Sequence, residues 1–146
     1  MHLGSIYLIV KDFNRSIDFY EKLLQMKVTS QNMERFAQFV FEGHNISLMN
    51  AYFDQDNPQL TTKKGKYVDQ FDNLPLIAES KNTHKFVLNF WTENLEQERE
   101  RILSLKISNL VTPIKYVNNV MPYYYFQLDD PDGNTIEITG PYNKSI

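Results

Sequence analysis

The feature that most narrows what this chain can fold into is a strand-and-helix pattern that occurs twice. In the first copy Gly4, Ile6, Leu8 and Val10 alternate with Ser5, Tyr7 and Ile9, the period of a strand, here apolar on both faces. Asp12 is placed to cap a helix beginning near Asn14, and Phe13, Ile17, Tyr20, Leu23 and Leu24 recur at helical spacing, so one helix face must be buried. Strands are expected over Lys27 to Ser30, Phe36 to Phe41 and Ile46 to Met49, with Gly43 in the last turn. The second copy opens with the strand FVLNFW and continues into a helix beginning near Leu95, whose weaker stripe is Leu95, Ile102 and Leu105. Strands are expected over Pro113 to Tyr116, Tyr123 to Leu128 and Thr135 to Thr139, the last two joined by the turn Asp130-Pro131-Asp132-Gly133-Asn134. Leu8 and Phe90, Asp12 and Asn94, and Phe13 and Leu95 are each 82 residues apart, and Gly43 and Gly133, Ile46 and Ile136, and Leu48 and Ile138 are each 90 apart. Two nearly constant offsets argue for an internal duplication of a βαβββ module. The fold class is therefore α+β, one domain over residues 1–146 with modules at about 3–50 and 84–141 linked by 51–83.

The linking segment is polar and interrupted at Pro58, Gly65 and Pro75, while Tyr67, Phe71, Leu74, Leu76 and Ile77 are apolar points that suggest it packs back. So long a structureless loop is unusual, which predicts either a functional lid or short helices of its own. Lys63-Lys64-Gly65-Lys66 lacks the spacing of a P-loop and reads as a solvated charge cluster. The 15 basic and 18 acidic residues give a net charge of −3, which offers no footprint for nucleic acid. Without cysteine the chain has no disulfide, thiolate nucleophile or thiolate-bound metal. The opening MHLGSIYLIVKDF is too short an apolar run for a signal peptide and no run of about 20 apolar residues follows, so neither membrane nor export is expected and the cytoplasm is.

YLIVKDFNRSIDFYEKLLQMKV and YFQLDDPDGNTIEITGP resemble the opening strand and helix, and the closing hairpin, of the glyoxalase, bleomycin-resistance and extradiol-dioxygenase superfamily. In the hairpin, Asp132 is expected to bond back to the turn backbone and Gly133 to take a positive φ. The resemblance implies modules that form an open, curled mixed sheet with helices outside and a cavity inside, and it implies a homodimer. Many members hold a divalent metal through histidines in each module's first strand and carboxylates in each last strand. Those positions fall here on Ser5, Val87, Ser47 and Glu137, of which only Glu137 keeps ligand chemistry. His2 and His84 each precede a mapped position by three residues, so both point to the opposite strand face unless the strands slip. His44, in the turn after Gly43, reads as a surface residue. No metal and no cofactor are expected.

Strand period and the geometry the resemblance implies place Ser5, Tyr7, Ser47, Met49, Val87, Asn89, Trp91, Glu137 and Thr139 on the concave side. Rings, hydroxyls, one amide and one carboxylate furnish a site for a small, partly aromatic or hydrophobic molecule. The same side chains can instead fill the interior completely, which would leave a structural or regulatory module. Two functional readings follow: metal-independent binding, as in bleomycin-resistance-type proteins, or a lactoylglutathione-lyase-like or related lyase or isomerase. The second needs a relocated divalent metal or Glu137 as a base, and Glu137 is the one serious catalytic candidate.

Overall fold

The computed structural model describes residues 1–60, 69–81, 86–118 and 122–144, and the chain divides into two compact units, Met1–Lys81 and Asn82–Ile146. The Lys63 to Lys66 cluster, Tyr67 and His84 lie outside the described residues.

Unit one follows the expected order: β1 (Ile6–Val10), α1 (Phe13–Leu24), β2 (Ser30–Asn32), β3 (Phe36–Phe41) and β4 (His44–Asn50). The sheet order is β1-β4-β3-β2, with β1 parallel to β4 and the other pairs antiparallel. Helix α1 starts where Asp12 sets it, since the Asp12 carboxylate accepts the Arg15 N–H at 3.0 Å. It stops at Gln25, whose φ of 54° is left-handed. Its buried face comprises Phe13, Ser16, Phe19, Tyr20, Leu23 and Leu24, so Phe19 takes the inward place expected of Ile17, which is half-buried. The sheet meets it with Leu8, Val10, Ala37, Phe39, Ile46 and Leu48, all buried. Each such large apolar side chain contributes about 2 kcal/mol on burial. Glu42 and Gly43, both at positive φ (48° and 77°), form the two-residue turn that closes β3 onto β4.

Strand β2 begins at Ser30, later than the expected Lys27. The reason is Glu21, one of whose carboxylate oxygens accepts the Lys27 ammonium at 2.7 Å while the other accepts the Val28 N–H at 3.1 Å. Residues 27 and 28 are thus tied to the end of α1. The Lys27 bond and the Val28 N–H hold the Glu21 carboxyl below its ordinary value against the opposing effect of burial. A depressed folded value means stabilisation that is present above the unfolded carboxyl range, about 4.3, and lost as pH falls through the folded value. Glu21→Gln is expected to lower stability by about 1 kcal/mol at neutral pH, mainly through the weakened Val28 bond. Urea midpoints of the two proteins should converge as the pH falls through the folded value; a difference that stays constant with pH would assign the effect elsewhere.

The segment after β4 forms short helices: α2 (Phe53–Asp56), a 3₁₀ turn (Pro58–Leu60), α3 (Asp69–Asp72) and α4 (Leu74–Ala78). Helix α4 packs on β1. Ala51, Phe53 and Ala78 are buried in this segment, whereas Leu76 is exposed.

Unit two repeats the plan with β5 (Val87–Trp91), α5 (Leu95–Leu105), β6 (Lys115–Asn118), β7 (Pro122–Asp129) and β8 (Thr135–Thr139), in sheet order β5-β8-β7-β6. Strands β5 and β8 are parallel and the rest antiparallel. Asn94 caps α5 by accepting the Gln97 N–H at 3.1 Å, and Glu96 and Glu98 sit favourably in its first turn. Leu95 and Ile102 are buried, as are Leu88, Phe126, Leu128, Ile136 and Ile138. Strand β6 begins two residues later than expected because Thr112 is already engaged with Gln127, donating its N–H to the Gln127 carbonyl and accepting the Gln127 N–H, both at 2.9 Å. Among the described residues no helix is long and apolar enough to cross a membrane.

Candidate functional site

Because successive side chains on a strand face opposite ways, burying Leu88, Ile136, Ile138, Phe126 and Leu128 puts the alternate residues on the other face of the second sheet. Backbone register then decides which of them meet. Asn89 lies beside Glu137 and Glu137 beside Gln127, forming one row; Trp91, Thr139 and Tyr125 form the next.

The first row is a hydrogen-bonded cluster around a carboxylate. Glu137 Oε1 accepts the Tyr123 hydroxyl at 2.8 Å and the Asn89 amide at 3.0 Å, and Oε2 accepts the Gln127 amide at 3.0 Å. Asn89 Nδ2 also donates to the Tyr123 oxygen at 3.1 Å. At the far side Lys115 Nζ donates to Gln127 Oε1 at 2.7 Å and stands 4.9 Å from the centre of the Tyr125 ring. The ammonium therefore fixes the Gln127 amide with its NH₂ toward Glu137, since the reverse orientation would set carbonyl oxygen against carboxylate. Burial pushes the Tyr123 phenol above its ordinary value and the Glu137 carboxylate adds to that, against smaller opposing effects of Thr139 and Asn89. The phenol thus keeps its proton, and the bond to Glu137, throughout the neutral range.

The second row opens into a cleft of about 400 Å³, lined by Trp91, Tyr123, Tyr124, Thr139, Gly140 and Tyr142 among others. Trp91, 65% exposed, offers a ring face to solvent, while Thr139 is buried and donates its hydroxyl to the Tyr124 carbonyl at 2.8 Å. Tyr124 packs between Tyr116 and Tyr142 in tilted ring contacts, at centroid distances of 4.9 and 5.5 Å. Gly140 belongs to the wall because the chain runs against Thr92 there.

The structure thus brings Asn89, Trp91, Glu137 and Thr139 onto one face of the second sheet, with Val87 exposed at its start. In unit one it brings Ser5, Tyr7, Ser47 and Met49 onto one face of β1 and β4, where Tyr7 lies beside Ser47. The Ser5 and Ser47 hydroxyls are 2.8 Å apart and bonded to each other. Tyr123, Gln127 and Lys115 were absent from the sequence expectation, although β7 itself was expected. The hairpin register supplies what strand period alone lacks.

A divalent metal does not fit these residues. Val87 has no donor atom, Ser5 and Ser47 are poor ligands, and both Glu137 oxygens already face N–H or O–H donors. His2 and His44 are exposed, and among the described residues no group of three His, Asp or Glu side chains is placed to hold an ion.

The family model for the glyoxalase/bleomycin resistance protein/dioxygenase superfamily matches residues 2–138. The chain belongs to that superfamily. No curated protein is similar to it at the level of significance required. Among solved structures, a glyoxalase/bleomycin resistance protein/dioxygenase from Nocardioides is 17% identical, with a TM-score of 0.67 over 99% of this chain and 86% of that one. A lactoylglutathione lyase from Agrobacterium tumefaciens is 12% identical, with a TM-score of 0.62 over 95% and 92%. A fosfomycin resistance protein from Mesorhizobium loti is 14% identical, with a TM-score of 0.56 over 97% and 92%. At these identities the likeness is one of fold, and superfamily members of one fold carry different chemistry.

Proposed function

We propose that this superfamily member binds a small, partly aromatic organic molecule without a divalent metal, at the open face of its second sheet. The observation that carries the reading is the state of Glu137. The one mapped metal position with ligand chemistry is held by Tyr123, Asn89 and Gln127, and Tyr123 in turn lines a cleft walled by Trp91 and tyrosines. Ring faces beside a few oriented polar groups are how small planar molecules are usually held. The lyase-like alternative needs a relocated divalent metal or Glu137 as a base, and three donors already hold that carboxylate in its ionised form.

Trp91 is the only tryptophan of the chain, so its fluorescence reports on the cleft without labelling. Protein dialysed against a chelator should show saturable quenching by the neutral planar probe 2-naphthol, unchanged when Ni²⁺ or Zn²⁺ is restored. Near-stoichiometric metal that survives dialysis, or chelator-sensitive turnover of an α-keto hemithioacetal, would replace this reading with the enzymatic one.

A further inference from the structure

The hydrogens of the Glu137 cluster can be counted, and the count constrains the ligand. A carboxylate offers about four acceptor positions, of which Tyr123, Asn89 and Gln127 fill three. Tyr123 has given its only hydroxyl proton to Glu137, and its oxygen accepts from Asn89. Asn89 donates from Nδ2 to both Tyr123 and Glu137, which leaves its Oδ1 without a partner among the described residues. The Thr139 hydroxyl donates to the Tyr124 carbonyl and also stands close enough to the phenol oxygen to lower its value, so it adds no donor for a ligand. What remains unfilled is a carboxylate position and the Asn89 oxygen, against a single spare N–H on Gln127. Lys115 adds at most one further N–H, on the far side of Gln127, because its ammonium is otherwise directed to the Gln127 oxygen and the Tyr125 ring.

We propose that this polar end selects a ligand in which an amine-type hydrogen-bond donor, a protonated amine foremost, is joined by a short link to the aromatic ring; the proposal rests on the ring-binding reading above. Tyr123 supplies the continuity, since it bonds Glu137 through its hydroxyl and lines the cleft beside Trp91. A ring seated against Trp91 and Tyr123 therefore places a substituent two or three bonds away within reach of the unfilled acceptors. An anionic substituent there would meet lone pairs and the Glu137 charge. A neutral alcohol would satisfy one acceptor without the charge contribution that strengthens an ammonium–carboxylate bond.

Three probes that share a phenyl ring and differ in the end group make the test: phenethylamine, phenethyl alcohol and 3-phenylpropionate, each titrated against Trp91 fluorescence. The expected order is amine, then alcohol, then carboxylate, with about tenfold between amine and alcohol. In Glu137→Gln the amine should fall to the level of the alcohol while the alcohol is little changed, because the substitution removes charge and nearly preserves volume. Equal binding of all three probes would overturn the donor-selecting proposal and leave ring binding intact. Tighter binding of the carboxylate would do the same, and would point to the Gln127 N–H or Lys115 as the selecting group. No effect of any probe on Trp91 would remove the ring-binding reading, and this proposal with it.

Discussion

Gly140→Ala is expected to destabilise the protein by about 3 kcal/mol, the upper end for inserting a methyl group into a filled site, and to abolish quenching of Trp91 by ring probes. A Cβ on Gly140 would stand 2.2 Å from the Thr92 carbonyl oxygen and 3.2 Å from both the Thr92 carbonyl carbon and its Cγ2. The first of these contacts is with backbone, which cannot rotate away. Thr92 is also bonded to the same stretch, donating its N–H to the Thr139 carbonyl at 2.9 Å. Relief therefore requires the ends of β5 and β8 to separate, and those ends carry Trp91 and Thr139. Gly4 provides the control, because a Cβ there meets nothing within 4 Å. Gly4→Ala should remain within about 0.5 kcal/mol of the parent. Denaturant midpoints and Trp91 quenching should thus change together in Gly140→Ala and in neither respect in Gly4→Ala. Parental stability in Gly140→Ala would show that the chain closes there differently.

The contrast between these glycines illustrates what a sequence can and cannot convey. Alternation in Gly4 to Val10 was enough to separate buried Leu8 and Val10 from exposed Tyr7, and Asp12 announced the start of the first helix, since these signals are local. Glu137 stood out through the superfamily resemblance, as the one mapped ligand position that keeps a carboxylate. Its partners did not, because Gln127 and Tyr123 reach it across a strand pair whose register is set by the turn between them. Once Asp129 is known to lie beside Thr135, counting back by twos puts Gln127 beside Glu137. Lys115 depended further on where β6 begins, which the exchange between Thr112 and Gln127 decides. The helices of the linking segment, α2 to α4, have four or five residues each, too few for an apolar stripe to announce them. Gly140 carried no signal at all, as its constraint comes from a backbone 48 residues earlier in the chain.

The register that assembles the site should itself depend on one buried carboxylate, and Asp130→Ala is expected to cost about 3 kcal/mol. The turn sequence suggested that Asp132 bonds back to the turn backbone; in the structure Asp130 makes such bonds. One Asp130 oxygen accepts the N–H groups of Asp132 at 2.9 Å and of Asn134 at 2.8 Å, and the other accepts the Asn134 side-chain amide at 2.8 Å. Backbone bonds at 3.0 Å, from Asp130 to the Asn134 carbonyl and from Gly133 to the Asp130 carbonyl, close the same loop, with Gly133 at a φ of 83°. Asp130 is 5% exposed, so truncation would leave turn N–H groups with little access to replacement water. Bonds to a charged acceptor contribute more than neutral ones, and removing the acceptor leaves donors unsatisfied, which sets the size of the effect. Asp130→Asn separates the terms: its amide oxygen still accepts both backbone N–H groups, but its NH₂ faces the NH₂ of Asn134, for an expected loss of about 1 kcal/mol. The turn fixes β7 against β8, and a shift of one residue would turn Gln127 and Tyr123 away from Glu137. Asp130→Ala should therefore lose ring-probe binding even under conditions where it remains folded, whereas Asp130→Asn should retain it. Amide exchange provides the local reading, with protection of the Asp132 and Asn134 N–H groups lost in the first variant and kept in the second. Undiminished protection of both groups in Asp130→Ala would mean that the backbone bonds alone hold the hairpin, and that the site owes nothing to this carboxylate.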